Sequence, residues 1–197
     1  MDVLALLKHV DLAVFFTINK TLSASWLNQP MLLLRNQYTW IPLYLFLLIY
    51  FYTRCRKYLV PIILLSLVTF AITDFTSASI IKPLVARHRP CNDPSVQFEL
   101  NNIAGCGGPY SMPSSHASNH FGLAAFWFLV ISNIRRKKWY WLWIWAFAIG
   151  YAQVYVGVHF PTDIFVGACL GIVTAFLTFR IFTLWKNRID NKTPIPT

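Results

Sequence analysis

Polar residues are scarce along most of this chain, and where they occur they cut it into apolar runs of membrane-crossing length. The runs are 38–53 (YTWIPLYLFLLIYFYT), 58–81 between Lys57 and Lys82, 117–134, 139–158 and 164–185. A helix needs about twenty apolar residues to cross the hydrocarbon core. The pattern predicts an all-α polytopic membrane helix bundle with five spans. The run Trp139, Tyr140, Trp141, Trp143 and Trp145 reads as an aromatic belt at one interface. Gly167 and Gly171 form a GxxxG step that either admits a close helix neighbour or simply faces lipid.

Residues 1–35 read differently. The stretch 3–18 is apolar but carries Lys8 and Asp11, and no small-residue cleavage pattern follows it, which argues against a removable signal peptide. It reads as an amphipathic helix lying in the interface, or as a sixth span. The expected organisation is an N-terminal interfacial or membrane segment (1–35), a membrane-embedded domain (36–190) and a short tail (191–197).

Composition narrows the class. Of 197 residues, 56% are hydrophobic and 12% charged, against a usual charged share of about 25%. Disorder, coiled coils and repeat arrays are thereby excluded. A net charge of +10 invites a nucleic-acid reading until the positions are examined. Arg54, Arg56, Lys57, Arg135, Arg136, Lys137, Lys138, Arg180, Lys186, Arg188 and Lys192 all fall at one end of the predicted bundle, with Asp190 the acid among them. By the positive-inside rule that end is cytoplasmic. The charge is a topology signal, and no nucleic-acid partner is expected.

At the opposite end the remaining polar residues collect. Lys82, Arg87, His88 and Arg89 follow the second run; Ser114, Ser115, His116, Asn119 and His120 open the third; Gln153 and His159 close the fourth; Asp163 opens the fifth. Lys82 and Arg89 offer fixed positive charge and several N–H donors to phosphate oxygens. Ser114 and Ser115 sit at a helix start, where amides favour anions. Two histidines can divide the work of nucleophile and general acid, and Asp163, four residues after His159, can orient its ring. No Cys/His cluster has metal-ligand spacing, so neither metal nor cofactor is expected. Taken singly, each has a duller reading: an interfacial histidine is usually structural, and Lys82 alone would be a snorkelling helix end. Asp74 lies inside the second run with Thr73, Thr76, Ser77 and Ser79, where a carboxyl bonded to neighbouring helices is favoured over a catalytic one. His120, one turn after His116, is expected to support the site. Cys91 and Cys106 lie on the loop beside it and could pair if that face is oxidising, closing a loop worth about 3 kcal/mol in the chain-entropy account.

These residues resemble the type 2 phosphatidic acid phosphatase family of membrane lipid phosphatases. Its three-part signature appears as Lys82-x6-Arg89-Pro90, then Pro113-Ser114-Ser115-His116, then Ala152-Gln153-x5-His159-x3-Asp163. The resemblance implies metal-independent, two-step phosphate transfer. His159 would be the nucleophile, held by Asp163; His116 would protonate the leaving oxygen and then activate water; Lys82, Arg89 and Ser114 would hold the phosphoryl group. Two positions depart from the pattern: Ser115 replaces a glycine, and Gln153 replaces an arginine. The missing charge implies weaker phosphate binding, another substrate, compensation by Arg87 or His88, or loss of activity.

The expected protein is a lipid phosphatase of the bacterial inner membrane, with its site facing the exterior and a membrane lipid as its partner. No obligate protein partner is expected. Undecaprenyl diphosphate is the first expected substrate; phosphatidylglycerol phosphate, phosphatidic acid and lipid A phosphates are the alternatives. A phosphotransferase and a non-catalytic lipid-phosphate binder are the competing classes.

Overall fold

In the computed structural model, which describes residues 3–192, the apolar runs are helices. Eight α-helices follow in order: α1 Val3–Phe16, α2 Ser25–Arg35, α3 Ile41–Arg54, α4 Leu59–Phe75, α5 Lys82–Val85, α6 Ser115–Arg135, α7 Trp141–Tyr155 and α8 Pro161–Lys192. Among the described residues the extended structure amounts to an isolated bridge between His88 and Tyr110. The five expected spans correspond to α3, α4, α6, α7 and α8. Two stretches, Arg56–Val85 and Pro161–Lys192, are long and apolar enough to cross a membrane by themselves. By contrast α3 has 14 residues, about 21 Å of helix against a hydrocarbon core of about 30 Å. Residues 191 and 192 of the expected tail belong to α8; residues 193–197 lie outside the described residues.

Local chemistry sets the helix starts. Pro42 and Pro161 occupy first-turn positions, where a missing N–H costs nothing. Ser114 caps α6, its hydroxyl accepting from the Ala117 N–H at 3.4 Å.

The bundle centres on α6, whose buried face (Ala117, Phe121, Ala124, Phe126, Val130) lies among α4, α7 and α8. The α6–α8 crossing is the tightest. A Cβ on Gly167 would meet the Ser114 carbonyl oxygen at 2.6 Å, and one on Gly171 would run into the Ser118 carbonyl. The GxxxG step is therefore a helix-packing device, and its lipid-facing alternative does not apply. Hydrogen bonds add to the α4 contacts: Thr69 and Thr178 hydroxyls lie 2.8 Å apart, and Thr73 donates to Asn119 at 2.7 Å. Asn119 in turn donates to Asp74 at 3.0 Å, which is the structural role favoured for that carboxyl. Thr73 and Ser77 face inward, whereas Ser79 is exposed.

The two ends differ in chemistry. At one, Lys57, Tyr58 and Lys186 all donate to Asp190, at 2.7, 2.6 and 3.1 Å. At the other, the N-terminal segment covers the bundle. Asp11 bonds the start of α8 through Thr162, while Asn19 donates to the Tyr155 carbonyl at the end of α7. These anchor points are about 12 Å apart along the helix, yet both lie at the same end of the bundle. The segment therefore runs across that end, with Leu6, Leu7, Val10 and Val14 exposed along it. Phe15 packs on Phe160 with centroids 5.3 Å apart, and the Tyr155 hydroxyl donates to the Ala24 carbonyl at 3.0 Å.

Cys91 and Cys106 are joined in a disulfide, while Cys55 and Cys169 are free. Thiol titration of the unfolded, oxidised protein should therefore find two reactive cysteines, rising to four after reduction. Four before reduction would show the loop to be unbridged.

Candidate active site

Three chain segments meet at the end opposite Asp190. The turn between α7 and α8 brings His159, and Pro161 then starts α8 so that Asp163 falls in its first turn. The Asp163 carboxylate is wholly buried. Its Oδ2 accepts the Phe160 N–H at 2.8 Å and faces His159 Nδ1 at 3.4 Å. Its Oδ1 accepts from Arg87 at 2.9 Å. The Asp163 main-chain carbonyl accepts the Ser114 N–H at 3.0 Å, which ties the start of α8 to the cap of α6.

His159 is 2% exposed. Burial, first of all, drives its pKa down to about 4; Arg89 and Lys82 push the same way, and Asp163 opposes them. The ring is therefore neutral near pH 7. With Nδ1–H directed at Asp163, the Nε2 lone pair faces Arg89 Nη1 at 3.4 Å. Arg89 is aimed by its own backbone contacts, donating to the carbonyls of Gly108 at 2.6 Å and Val158 at 3.3 Å.

Lys82 closes the opposite side and donates to Ser115 Oγ at 3.1 Å, which also accepts from Ser77 at 2.9 Å. The serine that replaces the signature glycine thus fixes the lysine. Ser114 Oγ is occupied as the α6 cap. His116 and His120 stack with centroids 6.2 Å apart, His120 bonds the His116 carbonyl at 2.7 Å, and its ring meets Trp145 edge-on at 5.0 Å. His159 and Arg35 are among the charge neighbours of His116.

The predicted cluster therefore comes together for Lys82, Arg89, Ser114, Ser115, His116, His120, His159 and Asp163. Asp74 borders it through Asn119. Arg87 lies between Asp163 and Asp11, away from a phosphate-binding role. His88 is exposed and contributes its main chain, accepting from Ser111 at 3.1 Å; neither residue fills in for the absent arginine. Gln153 is wholly buried, and neither atom of its amide finds a partner in the protein. Among the described residues no group of three or more His, Cys, Asp or Glu could hold a metal ion.

Two residues escaped the sequence reading. Asp11 reaches Arg87 at 2.6 Å. Arg35, at the end of α2, is a charge neighbour of both Arg89 and His116. The available signals were an acid inside an apolar run, and an arginine absent from the basic end of the bundle.

The sequence pattern of the PAP2 superfamily matches residues 60–187. The chain belongs to the PAP2 superfamily. Two lipid A 4'-phosphatases are 30% identical to it. That of Porphyromonas gingivalis aligns over 91% of this chain and 76% of its own, and that of Bacteroides thetaiotaomicron over 96% and 84%. An undecaprenyl-diphosphatase of Sulfolobus acidocaldarius is 30% identical over 74% of this chain and 65% of its own. The fold matches the PAP2 type phosphatidylglycerolphosphate phosphatase of Bacillus subtilis with a TM-score of 0.68, at 22% identity and covering 89% of this chain and 85% of that one. Aquifex aeolicus LpxE matches with a TM-score of 0.56, at 24% identity, over 87% and 95%. The relatives are named as lipid phosphatases, and the two solved structures share this chain's fold. The PAP2 match begins at residue 60, so Asp11 and Arg35 lie outside it.

The buried, neutral His159 has a spectroscopic consequence. Histidine NMR in detergent, assigned against His159→Ala, should show its ring neutral down to about pH 5. A midpoint near 6.5 would mean the ring is not desolvated as described.

Proposed function

We propose that this protein removes a phosphate monoester from a glycolipid of the lipid A class, through a phosphohistidine on His159. The observation that carries the reading is an imbalance of charge. Among the described residues Lys82, Arg89 and Arg35 form no ion pair with a carboxylate; Arg89 and Lys82 are charge neighbours of the neutral His159, whose Nε2 faces Arg89, and Arg35 is a charge neighbour of Arg89 and His116. Unneutralised cations around a nucleophile make a receptor for a dianion. The relatives support the substrate class, since the two that align over nine-tenths or more of the chain are lipid A 4'-phosphatases. Undecaprenyl diphosphate, the substrate first expected from the sequence, is supported by the Sulfolobus relative and remains the second reading.

In the first step His159 Nε2 attacks phosphorus while the bond to the lipid oxygen breaks, and His116 gives that oxygen a proton. In the second, His116 takes a proton from water, the hydroxide attacks phosphorus, and the P–N bond returns its electron pair to His159. Asp163 opposes the positive charge that grows on the ring. Lys82 and Arg89 hold the phosphoryl oxygens, and Arg35 supplies the cation that Gln153 does not. Gln153 keeps one amide donor for a phosphate oxygen, which suits its buried, unpartnered state. No metal is required in this scheme. The site faces the exterior of a bacterial inner membrane, by the distribution of Lys and Arg.

Phosphate release should be measured in detergent with chelator present, comparing lipid A, undecaprenyl diphosphate, phosphatidylglycerol phosphate and phosphatidic acid. Lipid A should be turned over fastest, and His159→Ala should abolish release while the protein stays folded. Release that survives in His159→Ala would rule out the phosphohistidine, and binding without turnover of any of the four would make the protein a lipid-phosphate binder. A second substitution tests the relocated cation. Arg35→Gln should raise KM about tenfold, the size of one charge-assisted contact, with a smaller effect on kcat. An unchanged KM would remove Arg35 from the phosphate site.

A further inference from the structure

Asp11 is the one acid of α1, and it is 5% exposed, on the face of the helix that also buries Phe15, while Leu7, Val10 and Val14 face outward. Its two oxygens are fully engaged. Oδ1 accepts the Thr162 N–H at 2.9 Å; Oδ2 accepts the Thr162 hydroxyl at 2.7 Å and Arg87 Nη2 at 2.6 Å. Arg87 uses its other terminal nitrogen on Asp163 Oδ1 at 2.9 Å, and its guanidinium lies 4.1 Å over the Phe160 ring. An unbroken chain of contacts therefore runs Asp11–Arg87–Asp163–His159, from outside the family signature to the nucleophile.

The charges explain why a second carboxylate belongs there. Arg87 holds Asp163 in place, leaving Oδ2 for His159. By itself, however, Arg87 would cancel the negative charge that must oppose a positive ring. Two carboxylates and one guanidinium restore a single net negative charge behind His159. We propose that Asp11 is a positioning residue for phosphate transfer, acting through Arg87. It keeps the arginine as a clamp on Asp163 while offsetting its charge, and it thereby makes the N-terminal helix part of the active centre. The inference rests on the phosphohistidine reading above.

The test compares Asp11→Asn, Arg87→Gln and the double variant with wild type and His159→Ala, using the substrate that wild type turns over fastest. Asp11→Asn keeps the shape and leaves the cluster neutral. It should lower kcat about tenfold or more and slow phosphoenzyme formation in rapid-quench experiments, with KM within about twofold. The double variant restores the single negative charge and should regain at least about threefold in kcat over Asp11→Asn. A wild-type kcat in Asp11→Asn overturns the proposal. So does a double variant no faster than Asp11→Asn, because Asp11 would then be a mere anchor for α1. Should Asp11→Asn fail to fold, the double variant is compared with wild type directly: a kcat within about tenfold supports charge balance, and a greater loss overturns it. Activity surviving in His159→Ala would instead fail the underlying mechanism, whatever Asp11 does.

Discussion

The arrangement of this site depends on one buried carboxylate. Asp163 has no contact with solvent, and a charge so placed is tolerated only when it is fully paired. Its partners come from every part of the signature: the Phe160 amide and His159 ring from the third part, Arg87 from the first, and through its main chain the Ser114 amide from the second. Satisfying that one group brings together segments up to 76 residues apart in sequence. Each partner offsets part of the cost of burying that charge, and together they hold the three parts of the signature at one point.

The second constraint is the close crossing of α6 and α8. Ser114 and His116 begin α6, Asp163 lies in the first turn of α8, and Gly167 and Gly171 bring the two backbones together just below. Larger residues at those glycines would push apart the helices whose starts carry His116 and Asp163. Membrane helices gain little from apolar burial against one another, so close backbone approach and hydrogen bonds such as Thr69 to Thr178 carry more of the packing. The site is thus set by the rigid ends of helices, while the disulfide restrains the long loop that delivers Arg89.

How much of this could be read from the sequence follows from the range of each signal. Apolar runs and the one-sided basic residues are local or cumulative, so helix positions and the two chemically distinct ends were legible. Fixed spacings placed Lys82, Arg89, His116, His159 and Asp163 in one site. What escaped was long-range and carried by lone residues. Nothing in the sequence around Asp11 says that it meets Arg87 and Thr162, and an acid in an apolar run suggests only a poor membrane span. Arg87 and His88 looked interchangeable as stand-ins for the arginine that Gln153 replaces. The fold separates them, since the isolated bridge at His88 leaves its side chain outside while Arg87 turns in over Phe160. The span count was less legible than the helices themselves, because α3 and α7 are shorter than the corresponding apolar runs.

His159 stands at the boundary between two fields of opposite sign, and its two nitrogens look into different ones. Nε2 faces Arg89, with Lys82 nearby and Arg35 a charge neighbour of Arg89, and among the described residues none of the three forms an ion pair with a carboxylate. Nδ1 faces Asp163, backed by Arg87 and Asp11. In the proposed mechanism a phosphate dianion would meet the cationic side, and a ring that gives its lone pair to phosphorus would be opposed by the anionic side. A neutral histidine in a desolvated pocket suits both stages, since it is nucleophilic before the step and gains stabilisation only as charge develops. On this account the replacement of a signature arginine by Gln153 need not disable the site. The cationic field is a sum over several groups, and Arg35 contributes to it from a helix that the signature does not include.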